Sequence, residues 1–275
     1  MDGLVLGWEE VLPRLAARAV ERHGEGAGAP VGAPAGGLPA GDPLTWLARL
    51  VAAPDPVAAV NGAAEGLGLV VRVSSLDGVA PLADGPEFVG AGLEHRERAR
   101  QEALLWELLA RALDAADAGH LWGVPAGGER TALLRAWDAV RAGGLVAATV
   151  ARVSAVLSWA APRQFLSLEG PSGALLRAPE GLGVCEADVP ATPLEYLSLV
   201  AFLGDEMDAA RLPYRDFLEL AHAAAEGRTL AEGLADADRR ALVRGRIAPE
   251  LARLWPRDPD RVERELQALL GPARV

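Results

Sequence analysis

The sequence predicts a mostly α-helical, multi-helical globular domain with a few short β-strands or hairpins. Apolar residues recur at helical spacing in many segments, and Gly and Pro separate these segments from one another. Capping residues followed by proline stand before several of them, whereas β-branched runs are short. Hydrophobic residues make up 51% of the 275 residues, which favours a packed core over disorder.

The chain begins with a short amphipathic helix, predicted from Trp8 to Arg22. We expect residues 1–23 to form this N-terminal helix and residues 24–41, rich in Gly and Pro, to form a flexible linker. Residues 42–275 then form the helical domain. A division of that domain into two subdomains near residues 145–190 stays open.

Two capped helices open the main domain. Asp42 precedes Pro43, and Asp55 precedes Pro56, so each pair predicts an N-cap followed by proline at the first helical position. The segment from Leu67 to Val73 is β-branched enough to predict a short strand.

Two longer helices follow. Residues 94–118 place Trp106 and three leucines on one face, with Gly119 as a C-terminal stop. Residues 129–142 show a similar apolar face and end at Gly143.

The next segments are less uniform. Residues 146–159 fit both a strand and a helix, and their length favours a helix. The Gly170–Gly173 turn predicts a small hairpin or a turn between extended pieces at 166–168 and 175–176. Thr192 with Glu195 forms a capping-box pattern for another helix. Further helices are predicted at 213–226, 229–244, 246–255 and 261–270.

The chain contains no lysine, so all of its 27 basic residues (Lys plus Arg) are arginines. A Walker-type phosphate loop and a Schiff-base enzyme both require a lysine, so neither class fits. Cys185 is the only cysteine, which excludes a disulfide framework and a thiolate-rich zinc site. No basic-then-apolar leader and no apolar run of about 20 residues is present, and we expect a cytoplasmic protein.

Two groups of residues contain side chains that could form a chemical site. Glu219, His222 and Glu226 share one helical face in the geometry of di-iron proteins, but a single copy of that motif favours a solvated helix face. Cys185 with a histidine base would form a nucleophile, yet nothing in the sequence brings the two together. We therefore expect no catalytic residue, no metal site and no cofactor.

Arginines are the candidate binding residues. The net charge of -11 repels a phosphate backbone overall, so nucleic-acid binding requires a local arginine face. Interleaved glutamates in residues 94–100 favour a salt-bridged surface instead. The candidates for nucleic-acid or partner binding are Arg96, Arg98, Arg100, Arg163 and Arg177.

Five short segments occur in the order found in a known family. They are Leu76–Leu82, Leu104–Leu109, Leu157–Leu168, Pro193–Leu199 and Asp216–Ala224. In this order they resemble the region before the motor domain of McrB-like AAA+ restriction ATPases and GTPases. The chain departs from that family after residue 230, where the motor would follow and no phosphate loop occurs.

The resemblance implies a non-catalytic accessory or recognition module of a McrB-like antiviral restriction system, without its own motor. Its partner would be an AAA+ motor or a nuclease subunit. The alternative is a helical protein–protein adaptor unrelated to nucleic acid, which the acidic charge favours.

Overall fold

The computed structural model describes residues 4–26, 41–77, 79–90, 92–117, 127–170 and 190–210, with only the backbone course given for 25–26 and 202–210. Over these ranges the chain is mostly helical, as the sequence predicted. The helices are α1 (Trp8–Gly26), α2 (Pro43–Val51), α3 (Pro56–Gly66), α4 (His95–Asp117), α5 (Gly128–Ala142), α6 (Val150–Ala160) and α7 (Pro193–Ala210). The strands are β1 (Leu4–Leu6) and β2 (Val71–Val73).

One hydrophobic core joins the N-terminal helix to the rest of the described chain. The buried face of α1 includes Val11, Leu12, Leu15 and Ala19. These residues belong to the same cluster of buried side chains as those of α4, α5 and α6, and α1 packs mainly against α6. Helix α1 therefore contributes to the core instead of lying apart from it.

The two predicted aspartate caps are confirmed. The Asp42 carboxylate accepts a hydrogen bond from the Thr45 N–H at 2.7 Å, and the Asp55 carboxylate accepts one from the Ala58 N–H at 2.9 Å. Proline follows each cap at the start of α2 and α3, where its missing N–H removes no helical hydrogen bond.

The sheet consists of two parallel strands. Its register pairs Leu4 with Val71, Val5 with Arg72 and Leu6 with Val73. Val71 and Val73 are buried and Arg72 is exposed, so one face of β2 meets the core. The strand predicted within residues 67–73 is confirmed at its C-terminal end, whereas β1 was not predicted.

Helices α4 and α5 form the most extensive helix pair of the described chain. The turn that ends α5 is tightly packed: a Cβ atom on Gly143 would lie 2.7 Å from Leu104 Cδ1 and 3.1 Å from the Ala139 carbonyl oxygen. Gly144 adopts a φ of 75°, a left-handed conformation that favours glycine. The two glycines predicted to end this helix therefore serve close packing and the turn, respectively.

The ambiguous segment at 146–159 is helical from Val150 to Ala160, and its N-cap is Thr149, whose hydroxyl accepts a hydrogen bond from the Arg152 N–H at 3.3 Å. Nearly every residue of α6 is buried because α1, α2 and α4 all pack against it. Val146, which the pattern placed on the same face, precedes the helix and is 91% exposed.

Helix α7 begins with the predicted capping box. The Glu195 N–H donates to the Thr192 hydroxyl at 3.2 Å, and the Thr192 N–H donates to the Glu195 carboxylate, also at 3.2 Å. One turn later, the Tyr196 hydroxyl accepts a hydrogen bond from the Leu166 N–H at 2.9 Å and donates to the Leu166 carbonyl at 2.8 Å. These bonds hold α7 against the turn that follows α6.

The aromatic residues predicted to meet at this junction, Trp159, Phe165 and Tyr196, are all buried in the one core. The described ring that meets Tyr196 edge-on is Trp137 of α5, at a centroid separation of 5.4 Å. That contact was not predicted, because the sequence gives no indication that α5 packs against α7.

Several sequence predictions concern residues outside the described ranges. They are the central linker residues 27–40, the second extended piece at 175–176, the four helices after residue 210, Cys185 and the group of Glu219, His222 and Glu226. Among the helices that are described, none is both long enough and apolar enough to cross a membrane.

Candidate functional site

Three of the predicted binding arginines lie in the first turns of α4. Arg100 forms an ion pair with Glu97 at 3.3 Å, and Arg98 donates a hydrogen bond to the Gly90 carbonyl at 3.4 Å. Arg96 is exposed, and its guanidinium bonds to no described residue. This segment therefore has the mixed-charge character of a salt-bridged surface, with Arg96 as its exposed cation.

The other two candidates lie elsewhere. Arg163 is exposed in the turn after α6, and it bonds to none of the residues that the structure describes. Arg177 is outside the described ranges. The described bonds therefore do not link Arg163 to the arginines of α4.

Several other arginines at the surface of the described chain, exposed or half-buried, are paired with acids. The pairs are Arg14–Glu10, Arg18–Glu21, Arg49–Glu87, Arg111 with Glu107 and Asp114, and Arg141–Asp138. Exposed pairs stabilise a protein by only about 0–1 kcal/mol each. They nevertheless neutralise the guanidinium groups that a phosphate backbone would need.

Five arginines of the described ranges have side chains that form no hydrogen bond or ion pair. They are Arg72, Arg96, Arg130, Arg135 and Arg163. They belong to β2, α4, α5 and the turn after α6. These unpaired cations are therefore distributed over different elements.

A polar junction, defined here as Gly41, Asp42, His95, Arg98, Glu102 and Trp106, lies where α2 begins beside α4. Its four α4 residues are spaced three or four apart and so share one face of the helix. The Trp106 indole N–H donates to the Gly41 carbonyl at 3.2 Å, which fixes the chain just before the Asp42 cap against α4.

The two carboxylates of the polar junction both have raised pKa values. Burial raises the pKa of Asp42, which is 4% exposed, although its hydrogen bonds from Thr45 act in the opposite direction. Burial and then the negative charge of Asp42 raise the pKa of Glu102, while Arg98 and His95 oppose the shift. The junction can therefore take up protons more readily than isolated carboxylates can.

His23, near the end of α1, stacks on the Trp106 ring at a centroid distance of 4.1 Å with the rings almost parallel. Partial burial lowers the pKa of His23. The stack attaches the end of α1 to the same part of α4, so the junction holds three helices together. Within the described ranges, no group of three or more His, Cys, Asp or Glu side chains is arranged to hold a metal ion.

Arg152 of α6 is buried and serves the fold. Its Nη2 donates hydrogen bonds to the Gly85 carbonyl at 2.8 Å and to the Glu87 carbonyl at 2.9 Å, and its guanidinium lies 4.9 Å from the centre of the Phe88 ring. Its Nε has no hydrogen-bond partner. These contacts hold the 85–88 loop against α6.

An open cleft of about 520 Å³ lies between the end of α4 and the start of α5. It is lined by Arg111, Asp114, Asp117, Gly128, Glu129 and Ala132. Arg111 is already bonded to Glu107 and Asp114 at 2.8 and 3.0 Å, and the bond to Glu107 raises the pKa of Arg111. The lining is therefore predominantly acidic and exposed.

The small sheet carries an exposed apolar surface that the sequence did not reveal. Leu4 and Val5 of β1 are each 60% exposed, and Val70, directly before β2, is 63% exposed. These are three of the five large apolar side chains exposed in the described chain. We call Leu4, Val5 and Val70 the sheet patch. The only sequence signal for it was the β-prone triplet at residues 4–6.

Comparison with known proteins gives no match for this chain among family models, curated proteins or solved structures.

Proposed function

We propose that this chain is a non-catalytic helical recognition module that binds a partner protein. The observation that carries the proposal is the sheet patch. Large apolar side chains that cluster on the surface of a folded domain are typical of protein-binding sites, whereas isolated ones are common everywhere. Within the sheet patch, Val5 and Val70 lie on the same face of the sheet, and Leu4 adds a third exposed apolar side chain at the start of β1.

The charge distribution supports a protein partner over nucleic acid. The net charge is -11, and the acidic partners of the exposed arginines lie on the same or neighbouring elements. Duplex binding needs several cations aligned on phosphates, since each contact releases counterions from the duplex. The five unpaired arginines come from four different parts of the chain, which favours the adaptor form of the proposal.

The more specific form of the proposal is an accessory module of a McrB-like antiviral restriction system in the cytoplasm. Its support is the resemblance of five segments, two of which meet in the fold: Tyr196 of one bonds to the Leu166 backbone of another. A lysine-free chain would leave nucleotide hydrolysis to a separate AAA+ motor or nuclease subunit.

The test uses the full chain and a purified AAA+ motor or nuclease encoded by a neighbouring gene. We expect a complex in size-exclusion chromatography and calorimetry, and no ATP or GTP turnover by the chain alone. A Val5→Ser/Val70→Ser variant should weaken the complex. The matched control is Val146→Ser, which alters an exposed valine outside the sheet patch.

Two results would count against this function. If the control weakens the complex as much as the sheet variant does, the sheet patch is not the binding surface. If the chain alone hydrolyses nucleotide, and purified point variants change that rate, the chain is an enzyme and the proposal fails.

A further inference from the structure

One edge of the small sheet is closed by a side chain. Asn61 of α3, the only asparagine in the chain, donates from Nδ2 to the Val73 carbonyl at 3.0 Å and accepts from the Val73 N–H at 2.8 Å through Oδ1. An amide side chain in this position imitates the backbone of a neighbouring strand. The outer edge of β2 is therefore satisfied at Val73 and is unsuited to pairing with another chain.

The other edge of the sheet, formed by β1, pairs with no other strand among the described residues. The Leu4 N–H donates to the Val70 carbonyl at 3.3 Å, so Leu4 directs its backbone groups toward β2. Successive residues of a strand direct their N–H and C=O groups to opposite sides, and Val5 therefore directs its own groups away from β2. The Val5 side chain is exposed as well, so both its backbone and its side chain are accessible.

An unpaired cation lies on the same face of the sheet. Arg72 is opposite Val5 in the register and exposed, and its guanidinium forms no hydrogen bond or ion pair with any described residue. Val70 precedes it by two residues and so shares its face. This face therefore presents Val5, Val70 and a free guanidinium, in contrast to the paired arginines of α2 and α4.

We propose that the outer edge of β1 binds an extended segment of a partner protein as an added strand, and that this segment alternates apolar residues with carboxylates. The inference rests on the proposed recognition function and names the partner's chemistry. Addition of a strand uses main-chain hydrogen bonds for affinity and alternate side chains for selectivity. The backbone groups of Val5 provide the first, and Arg72 provides the second.

The distances suit this assignment. An added strand would lie two strand spacings from β2, which is about 9.6 Å. Arginine and glutamate side chains extended toward each other across the solvent face of β1 span that distance. The net charge of -11 repels an acidic segment at long range, so the valines and backbone bonds supply affinity while Arg72 selects the partner.

The first experiment measures binding to the full chain by fluorescence anisotropy. The probe is a short fluorescein-labelled peptide in which valine alternates with glutamate, and the matched probe carries lysine in place of glutamate. We expect the glutamate peptide to bind more tightly by about twofold to threefold, because Arg72 and the glutamate are separated by β1 and form an exposed, solvent-screened charge pair. Equal affinities for the two peptides would overturn the choice of an acidic partner.

Two variants test the residues. Arg72→Gln should abolish the preference between the two peptides, whereas Arg135→Gln, at an exposed unpaired arginine of α5, should preserve it. Val5→Pro removes the outward N–H and should abolish binding of the glutamate peptide. Val5→Ser keeps the N–H and should reduce affinity only partly, with folding of both variants checked by circular dichroism.

Failure of the inference and failure of the proposed function give different results. If Val5→Pro folds and still binds the peptide with unchanged affinity, strand addition at β1 is wrong. If, in addition, the Val5→Ser/Val70→Ser variant binds the neighbour-encoded partner normally, the recognition function of the sheet patch fails as well. If the peptides bind at β1 but with equal affinity, the outer edge of β1 is the binding site and the prediction of an acidic partner segment is wrong.

Discussion

Asp42 combines two roles that oppose each other electrostatically. Its carboxylate caps α2 by accepting a hydrogen bond from the Thr45 N–H, and this bond favours the ionised form of the carboxyl group. It is also buried, and burial, with the negative charge of Glu87, raises its pKa, while burial and the charge of Asp42 raise the pKa of Glu102. The folded protein therefore holds these protons more tightly than the unfolded chain does.

This arrangement predicts an unusual pH dependence. Because the folded pKa of Asp42 is raised above its ordinary value of 3.8, its protonated form stabilises the fold, and that contribution is lost as the pH rises through the folded pKa. Asp42→Asn keeps an oxygen for the cap and does not titrate. We expect the variant to unfold at higher denaturant than the wild type at neutral pH, and to lose part of the pH dependence in urea titrations.

The control is Asp42→Ala, which removes the cap itself. It should cost about 1 kcal/mol at neutral pH, the usual cost of losing an N-cap side chain. If Asp42→Asn is as destabilising as Asp42→Ala, the charge of the carboxylate is required and burial does not dominate. Glu102 should supply the pH dependence that remains, since its pKa is raised as well.

The sequence predicted only one of the two properties of Asp42, its role as an N-cap. The Asp-Pro pair identified the cap, because capping is a local property that neighbouring residues determine. The proximity of Glu102 depends on how α2 packs against α4, which no local pattern records. The same limit applies to Arg49 and Glu87, which lie far apart in the sequence and meet at 2.8 Å.

At the scale of elements, the turn between α6 and α7 is the best test of the packing. Phe165 is 1% exposed, and its replacement by alanine removes a buried aromatic ring. Such truncations cost about 3–5 kcal/mol. Arg163→Ala, two residues earlier and exposed, should change the free energy of unfolding by less than about 0.5 kcal/mol.

Partner binding separates the two variants further. Phe165→Ala should impair binding only as far as it lowers the folded fraction. If Arg163→Ala abolishes binding while stability holds, the turn itself is a recognition surface. If Phe165→Ala leaves the unfolding midpoint unchanged, the turn does not belong to the core.

Tyr196 predicts a second, smaller effect at the same junction. Tyr196→Phe keeps the ring against Trp137 but leaves the buried N–H and C=O groups of Leu166 without their partner. The loss should be about 1–3 kcal/mol in urea denaturation. Ser198→Ala is the control, because the Ser198 hydroxyl bonds only to the Leu194 carbonyl on the exposed side of α7 and its loss should be nearly neutral.

The elements that were predicted well are those with strong local signals. The capping box of Thr192 and Glu195 predicted α7, and the apolar stripe around Trp106 predicted α4. Strand β1 was missed because three residues give no periodicity to count, and it is paired with β2 only through the tertiary fold. The candidate binding surface was missed for the same reason.

The stability of the whole molecule depends on its N-terminal segment, because α1 belongs to the one hydrophobic core. Removing residues 1–26 would take Val11, Leu12 and Leu15 from the core and β1 from the sheet. Full burial of each such side chain is worth about 1.5–3 kcal/mol, and a typical domain has only about 5–15 kcal/mol in total. We expect the truncated chain to lose its cooperative thermal transition in circular dichroism, and a retained sharp transition would show that α1 is dispensable.

The charge distribution of the whole molecule predicts that it does not bind nucleic acid. The net charge is -11, and the arginines without partners in the described ranges lie on several elements. Fluorescence anisotropy with labelled duplex DNA at low salt should therefore show no saturable binding at micromolar protein. A protein that contacts Z phosphates shows a slope of about -0.9Z in a plot of log K against log salt, so the slope reports how many arginines act together.

A steep slope of log K against log salt would contradict this prediction and would support nucleic-acid binding through a local arginine face. In that case Arg96→Ala and Arg163→Ala would each reduce the slope by about one if both groups contact phosphate. Arg49→Ala is the matched control, since Arg49 is exposed but already bonded to both oxygens of Glu87. Suppose that the wild type and the three arginine variants all show a flat salt response, and that the peptide binds at β1. The outer edge of β1 is then the recognition site, and the arginines contribute to solubility and to surface ion pairs.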